Sequence, residues 1–397
     1  MLEQSFKFSN FDCIGFDLDN TIAKFKIGAM VELEYKVLAQ FLLKRGYLRK
    51  HLEVEIDFDF IQKGLILDGQ KGNILKIAGD GKILRATHGT KPLSDEEIEK
   101  FYKNRHWELT DLFVQNPMQV WNGPNSERMR SLLDYFDIIV SLVFARCVDS
   151  VDEERNGIQE EYSIYDDIYD GLLEMFNIEH FQTNQGGYYS ELKSNPEKYY
   201  HKCSNKVIDW LKTLKSQGKL LFLITGSYID FASLTASNTL GPNWKDYFDI
   251  IVTYAKKPGF FTSDRKFIGL EGINQTGQIK VEDLKLGGTY VNGNWQELYQ
   301  FLMTHSPKRY PRFLYIGDSV VQDIYAPDIY SHCETVAICE ELCIDEKYGV
   351  HPDEKVINSE FWGSYFKDKG VDTIWSKIID ENAKLCIPDL EYAAGLP

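Results

Sequence analysis

Two carboxylates close a short apolar run near the start of the chain. In FDCIGFDLDNTIAKFK, Ile14-Gly15-Phe16 leads into Asp17 and, one residue further, Asp19, with Thr21 behind them. Spaced two apart on extended backbone, both acids point the same way. Two like charges about 4 Å apart repel by about 4 kcal/mol at an effective dielectric of 20. A divalent cation is the simplest group to offset that cost. The same residues also suit an acidic turn in which Asn20 and Thr21 cap a helix.

Three more stretches place polar groups at the ends of apolar runs. In LLFLITGS, Thr225-Gly226-Ser227 precedes a helix start, where backbone N–H groups can face an anion. An ordinary helix cap has the same appearance. In YAKKPGFF, Lys257 stands beside Pro258, which stiffens the loop, and is preferred over Lys256 as a ligand for a phosphoryl oxygen. A solvated turn is the plainer alternative. In LYIGDSVVQD, Gly317 permits close backbone approach, Asp318 suits a magnesium ligand, and Asp323 an acid that orients it or the lysine. A turn acid and a helix-face acid would read alike.

The elements that must position these groups are legible around them. Five runs, at 14–18, 220–225, 248–254, 313–318 and 335–340, are apolar nearly throughout, as in parallel strands covered on both faces. Before the second, Val207, Ile208, Leu211 and Leu214 recur at helical spacing, and Gly218 sits where a C-terminal cap belongs. Strands alternating with helices predict an α/β fold with a doubly wound parallel sheet.

The first strand is far from the second in sequence, much further than parallel neighbours require. Residues 36–199 are therefore expected to form an inserted, mainly helical cap domain. Residues 1–35 and 200–345 are expected to form the core, and 346–397 a C-terminal extension packed on it. Within the insertion, 73–75 and 82–84 flank Gly79-Asp80-Gly81 as a hairpin. LSDEEI reads as a capping box, with Ser94 as cap and Glu97 three later. NGIQEEYSIYDDIYDGLLEMF reads as one helix, the apolar patch at 138–148 fits helix or strand, and a further helix is expected near 372–383.

Composition narrows the partners. The chain has 397 residues, 43% hydrophobic and 26% charged, with a formal net charge of −16 and no Lys/Arg-rich tract. This disfavours nucleic acid and requires any attraction for a phosphorylated molecule to be built locally. Membrane spans are not expected, because the densest apolar patch falls short of roughly 20 residues. Seven cysteines without CxxC pairs, and an N-terminus lacking the plan of a signal peptide, read as reduced thiols in a cytoplasmic protein. An aromatic share of 14% would permit a homo-oligomeric interface.

Taken together, the four stretches present an acid pair, a hydroxyl, a lysine and an acid pair, in that order, each at a strand end. That order resembles the four motifs of the haloacid-dehalogenase superfamily of phosphohydrolases. GFDLDNTIAKFK, GNILKIAGDGKILRATHGTK and AKKPGFF further resemble the cytosolic purine 5′-nucleotidases and 5′-nucleotidase domain-containing proteins.

The resemblance implies a Rossmann-like core with a cap inserted between the first two motifs, Mg²⁺ as cofactor, and a nucleoside 5′-monophosphate as substrate. It makes Asp17 the nucleophile and Asp19 the proton donor and acceptor. Asp17, Asp318 and the main-chain carbonyl of Asp19 become the metal ligands, and Lys257 and Thr225, with Gly226 and Ser227, the phosphate site. Thr21 and Asp323 have supporting roles. The cap departs from the purine-specific members: Tyr169, Leu173 and Phe176 stand where those carry Arg, Asp and His, and Phe136-Asp137 matches an aromatic-Asn pair near the base. A nucleoside phosphotransferase using the same intermediate, or a regulatory protein on the same fold, would share the core motifs.

Overall fold

The apolar runs pair into one nine-stranded sheet. The computed structural model describes residues 6–344 and 351–396. In chain order the strands are β1 (Cys13–Phe16), β2 (Leu220–Ile224), β3 (Ile250–Thr253), β4 (Phe267–Glu271), β5 (Asn274–Gln278), β6 (Gly288–Asn292), β7 (Phe313–Gly317), β8 (Glu334–Ile338) and β9 (Leu385–Ile387). They lie in the order β5-β4-β6-β3-β2-β1-β7-β8-β9. From β6 to β9 every pairing is parallel, and β4 and β5 add an antiparallel edge.

The five expected strands are present within two residues of their expected ends. β1 is central, with β2 and β3 on one side and β7 and β8 on the other. Open α/β sheets leave a ligand crevice outside the carboxyl ends of their strands at such a reversal.

Alternation along each strand fills both faces. Ile14, Phe16, Leu221, Leu223, Leu314 and Ile316 join one buried cluster. Cys13, Phe222, Ile224, Phe313 and Tyr315 join the other. Gly15 is required by this packing, because a Cβ there would lie 2.0 Å from the Phe222 ring. The helix before β2, Asn205–Ser216, buries Val207, Leu211 and Leu214, and Gly218 follows it at φ +77°.

The chain divides into two compact units. One comprises Met1–Lys26, Lys193–Tyr348 and Ile378–Pro397, the other Ile27–Leu192 and Gly349–Lys377. The boundaries differ from the expectation, and the core resumes at Lys193 instead of residue 200. The helix Ile27–Arg45 is continuous and belongs whole to the second unit, so no boundary falls at residue 35. The C-terminal stretch is shared between the units instead of packing on the core alone, and the boundary drawn at 345 lies outside the described residues. The reason is local chemistry. Trp362 Nε1 donates to the Phe60 carbonyl at 2.7 Å, Trp375 Nε1 to the Gly64 carbonyl at 2.8 Å, and Asp368 pairs with Arg85 at 2.6 Å, all within the second unit. Ile378 onward instead supplies β9 to the core sheet.

The second unit is not helical alone. Beside Ile27–Arg45, Ile139–Glu154 and Ile164–Met175 it holds a five-stranded antiparallel sheet built around Asn73–Ile77 and Ile83–His88. The expected hairpin is that central pair, and the capping box at Ser94 and Glu97 forms with both hydrogen bonds. The 138–148 patch is helix. The helix expected over 156–176 begins only at Ile164: Asn156 and Gly157 adopt φ +58° and +149°, and the Tyr162 N–H donates to the Gln70 carbonyl at 2.9 Å instead of within a helix. The late helix spans Ile374–Asn382. None of the seven cysteines is disulfide-bonded. No helix among the described residues is long and apolar enough to cross a membrane.

Candidate active site

The four polar stretches meet at the carboxyl ends of β1, β2, β3 and β7. Asp17 follows β1, and its N–H donates to the Ile316 carbonyl at 2.8 Å, tying the first stretch to β7. Thr21 Oγ1 donates to Asp318 Oδ1 at 3.3 Å across 297 residues of chain. Tyr254 N donates to the Ser227 carbonyl at 2.8 Å and Ala255 N to the Thr225 carbonyl at 3.0 Å, joining the second stretch to the third.

Lys257 stands at the middle of the charges. Its ammonium lies 2.8 Å from Asp17 Oδ1, 2.6 Å from Asp323 Oδ1 and 3.3 Å from the Tyr315 hydroxyl. Those three acceptors match its three N–H donors. Burial works to lower the Lys257 ammonium, but the charges of Asp17 and Asp323 overcome it and hold the group well above its ordinary range. Tyr315 passes its own proton to the Ile224 carbonyl at 3.0 Å, so one hydroxyl links β7, β2 and the lysine. Motif reasoning missed Tyr315. The available signal was a phenol inside a fully apolar strand, where its O–H needs a partner.

Asp323 is a positioning acid. One oxygen pairs with Lys257 and the other accepts from Ser319 N at 3.1 Å, and the residue is fully buried. Gly317 makes this possible: a Cβ there would sit 2.4 Å from Asp323 Cβ and 2.6 Å from its Oδ2. Gly317→Ala is therefore expected to displace Asp323 and destabilise the fold by about 1–3 kcal/mol, read by chemical denaturation. An unchanged midpoint would show that the strand end tolerates the methyl group.

Asp19 sits against the corner formed by Thr225, Gly226 and Ser227. Its Oδ2 accepts from Ser227 Oγ at 2.7 Å and from Thr225 Oγ1 at 3.3 Å, while Oδ1 is buried with no hydrogen-bond partner. Burial first, then the Asp17 charge, push the Asp19 carboxyl up to about 7, against the Ser227 and Thr225 hydrogen bonds and Lys257. Ser227 N donates to Thr225 Oγ1 at 3.0 Å, closing the corner. Gly226 is exposed, and a Cβ there would meet open space.

The donor set fits a hard divalent cation. Carboxylate oxygens of Asp17, Asp318 and Asp323 lie within 4.8 Å of one another, and all three residues are buried. With Asp19, four carboxylates share one ammonium, a balance that favours a further positive charge. All-oxygen donors suit Mg²⁺ or Ca²⁺. With both Asp323 oxygens hydrogen-bonded to Lys257 and Ser319, Asp17 and Asp318 are the candidate side-chain ligands.

The family model described as "5' nucleotidase family" matches residues 2–360 of this sequence. The chain belongs to the 5′ nucleotidase family. Within it, the chain is 36% identical over 426 residues to 5′-nucleotidase domain-containing protein 1 of Bos taurus, covering 100% of this chain and 92% of that protein. It is likewise 36% identical over 431 residues to the Homo sapiens protein of the same name, with the same coverage. Among solved structures, the HAD-hydrolase YfnB from Bacillus subtilis aligns over 97% of both chains at 12% identity and a TM-score of 0.31.

The cap candidates that family resemblance suggested lie in the second unit. Asp137 is buried, with Oδ2 accepting from Arg130 Nη2 at 3.2 Å and Oδ1 from Asp134 N at 3.3 Å. Phe136 N donates to Asp134 Oδ1 at 3.0 Å in the same turn. Tyr169 is 45% exposed on the helix Ile164–Met175, as is Leu173 at 55%.

Proposed function

We propose that this chain is a Mg²⁺-dependent phosphoric monoester hydrolase that cleaves nucleoside 5′-monophosphates, purine type favoured, through an aspartyl-phosphate. The observation that carries this reading is the placement of Lys257 between Asp17 and Asp323, 2.8 and 2.6 Å away, with Asp318 beside them. Family membership supports the same reaction class.

Asp17 attacks phosphorus in line with the leaving oxygen, forming an acyl phosphate as the P–O bond to the nucleoside breaks. A carboxylate meeting a phosphoryl dianion costs roughly 8 kcal/mol by the same arithmetic as above, so the site must neutralise charge before it can react. Lys257, which gives up its 3.3 Å contact with the Tyr315 hydroxyl, and the backbone N–H of Gly226 bind the phosphoryl oxygens, while the Ser227 N–H stays on Thr225 Oγ1. The Thr225 hydroxyl, which has one proton to donate, moves from Asp19 to the substrate. Asp19, protonated at its partnerless Oδ1, gives that proton to the departing alkoxide. Water then attacks phosphorus, Asp19 takes the proton back, and orthophosphate leaves with Asp17 restored. Asp17, Asp318 and the Asp19 main-chain carbonyl would hold a magnesium ion, which would supply charge neutralisation at the phosphoryl group.

The test is phosphate release from a panel of nucleoside monophosphates, with and without a chelator. Release that stops with chelator and returns with Mg²⁺ is expected. No release from any monophosphate at millimolar Mg²⁺ would contradict the reading.

A further inference from the structure

Immediately after the phosphate corner, the same rim carries an aromatic stack that the mechanism above does not use. Tyr228 follows Ser227 and caps the helix Ile229–Thr239 in an extended conformation, with φ −64° and ψ 153°. Its ring lies on that of Tyr254 with centroids 4.1 Å apart and planes within 18°. The Lys256 ammonium in turn stands 4.6 Å from the centre of the Tyr254 ring.

Two features indicate that the pair is placed for a ligand. Tyr254 adopts φ +45°, a left-handed conformation that a bulky residue pays to occupy. It is pinned there by its N–H to the Ser227 carbonyl, the residue whose hydroxyl holds Asp19. The backbone that builds the phosphate corner therefore also fixes the second ring of the stack. Both tyrosines are also only partly buried, at the carboxyl ends of adjacent central strands. The two tyrosine side chains also hydrogen-bond to each other. Here Tyr254 is backed by Tyr228 and approached by Lys256, which leaves the outer face of Tyr228 as the continuation of the stack.

We propose that Tyr228, backed by Tyr254 and Lys256, is a platform for the planar part of the substrate, a nucleoside base that stacks on its outer face. This rests on the nucleotidase reading and deepens it by assigning core residues to the base. Tyr228 lies one residue beyond Ser227, about 3.8 Å along the backbone, which keeps its ring within reach of a nucleotide whose phosphate occupies the corner. Stacking on an aromatic face tolerates any base, so the platform selects nucleotides over non-aromatic phosphomonoesters without choosing among bases. Lys256 draws charge toward the stack and strengthens it as a cation–π partner.

The test compares a purine nucleoside 5′-monophosphate with ribose 5-phosphate, which keeps the sugar and phosphate and lacks the base. Tyr228→Ala is expected to raise KM for the nucleotide about tenfold with little change in kcat, and to leave kcat/KM for ribose 5-phosphate within about twofold. Tyr228→Phe keeps the ring and is expected to behave as wild type. Tyr228→Leu keeps apolar bulk without a π-face and is expected to follow Tyr228→Ala, which guards against a misfolded alanine variant. Equal losses on both substrates, no loss on either, or a Phe variant as poor as Ala would overturn the platform. A wild-type protein that releases phosphate from neither substrate overturns the nucleotidase reading itself, and the platform falls with it. Activity on both with an unchanged preference sinks the platform alone.

Discussion

Asp17→Asn is expected to keep the fold and lose turnover. The amide is the same size as the carboxylate and can still accept from Lys257, whose second partner Asp323 remains at 2.6 Å. The stability cost should stay within about 2 kcal/mol, the scale of one hydrogen bond to a charged group. An amide oxygen is a far poorer nucleophile than a carboxylate, and the loss of kcat should be on the order of 10⁵-fold, the scale of removing a nucleophile from an enzyme that uses covalent catalysis. Parallel denaturation and phosphate-release measurements separate the two effects. A variant with near-normal turnover would remove Asp17 from the chemistry, and one that fails to fold would make it a structural acid.

Lys257→Met should do both kinds of damage. It leaves Asp17 and the fully buried Asp323 facing each other with no cation between them. Breaking a buried pair by removing one partner costs about 3–5 kcal/mol. The lysine's raised folded-state pKa means its contribution is complete below the unfolded value near about 10.4 and lost only as pH rises through the higher folded value. Burial pushes the Asp323 carboxyl up to about 7 against the Lys257 charge, so denaturation at a pH above that and below the lysine's range reads the full effect. Turnover should fall together with stability, because the phosphoryl group loses its cation and Asp17 loses the contact that orients it. Adding Asp323→Asn to this variant should recover part of the stability and none of the activity, since it removes the uncompensated buried charge without replacing the cation. Full stability in Lys257→Met would mean that the cluster is held by other means.

The features legible in the sequence were those that leave a local mark. Strands covered on both faces appear as unbroken apolar runs, so β1, β2, β3, β7 and β8 could be placed, and the acids and hydroxyls at their ends stood out against those runs. The Ser94 capping box and the hairpin through Gly79-Asp80-Gly81 follow from spacing alone.

Other features depend on pairing across long sequence distances. β4, β5 and β6 carry glycines and polar residues, and β5 is exposed throughout, so no apolar run announces them. Tyr315 reads as one more core aromatic until Lys257 and the Ile224 carbonyl are seen on its hydroxyl. Nothing in the pattern of the C-terminal stretch reveals that Trp362 and Trp375 find their carbonyl partners at Phe60 and Gly64. Gly317 was read as allowing backbone approach. What it admits is the side chain of Asp323, six residues on.

In the proposed reaction a phosphoryl group passes through the carboxylate of Asp17, and that intermediate can be sought directly. The protein is mixed with Mg²⁺ and a nucleoside 5′-monophosphate, quenched in acid during turnover, digested and mapped by mass spectrometry. One phosphoryl group on the peptide containing Asp17, absent in the Asp17→Asn protein, is the predicted result. Phosphate released at full rate with that peptide unmodified, or with the phosphoryl group on another residue, would contradict it.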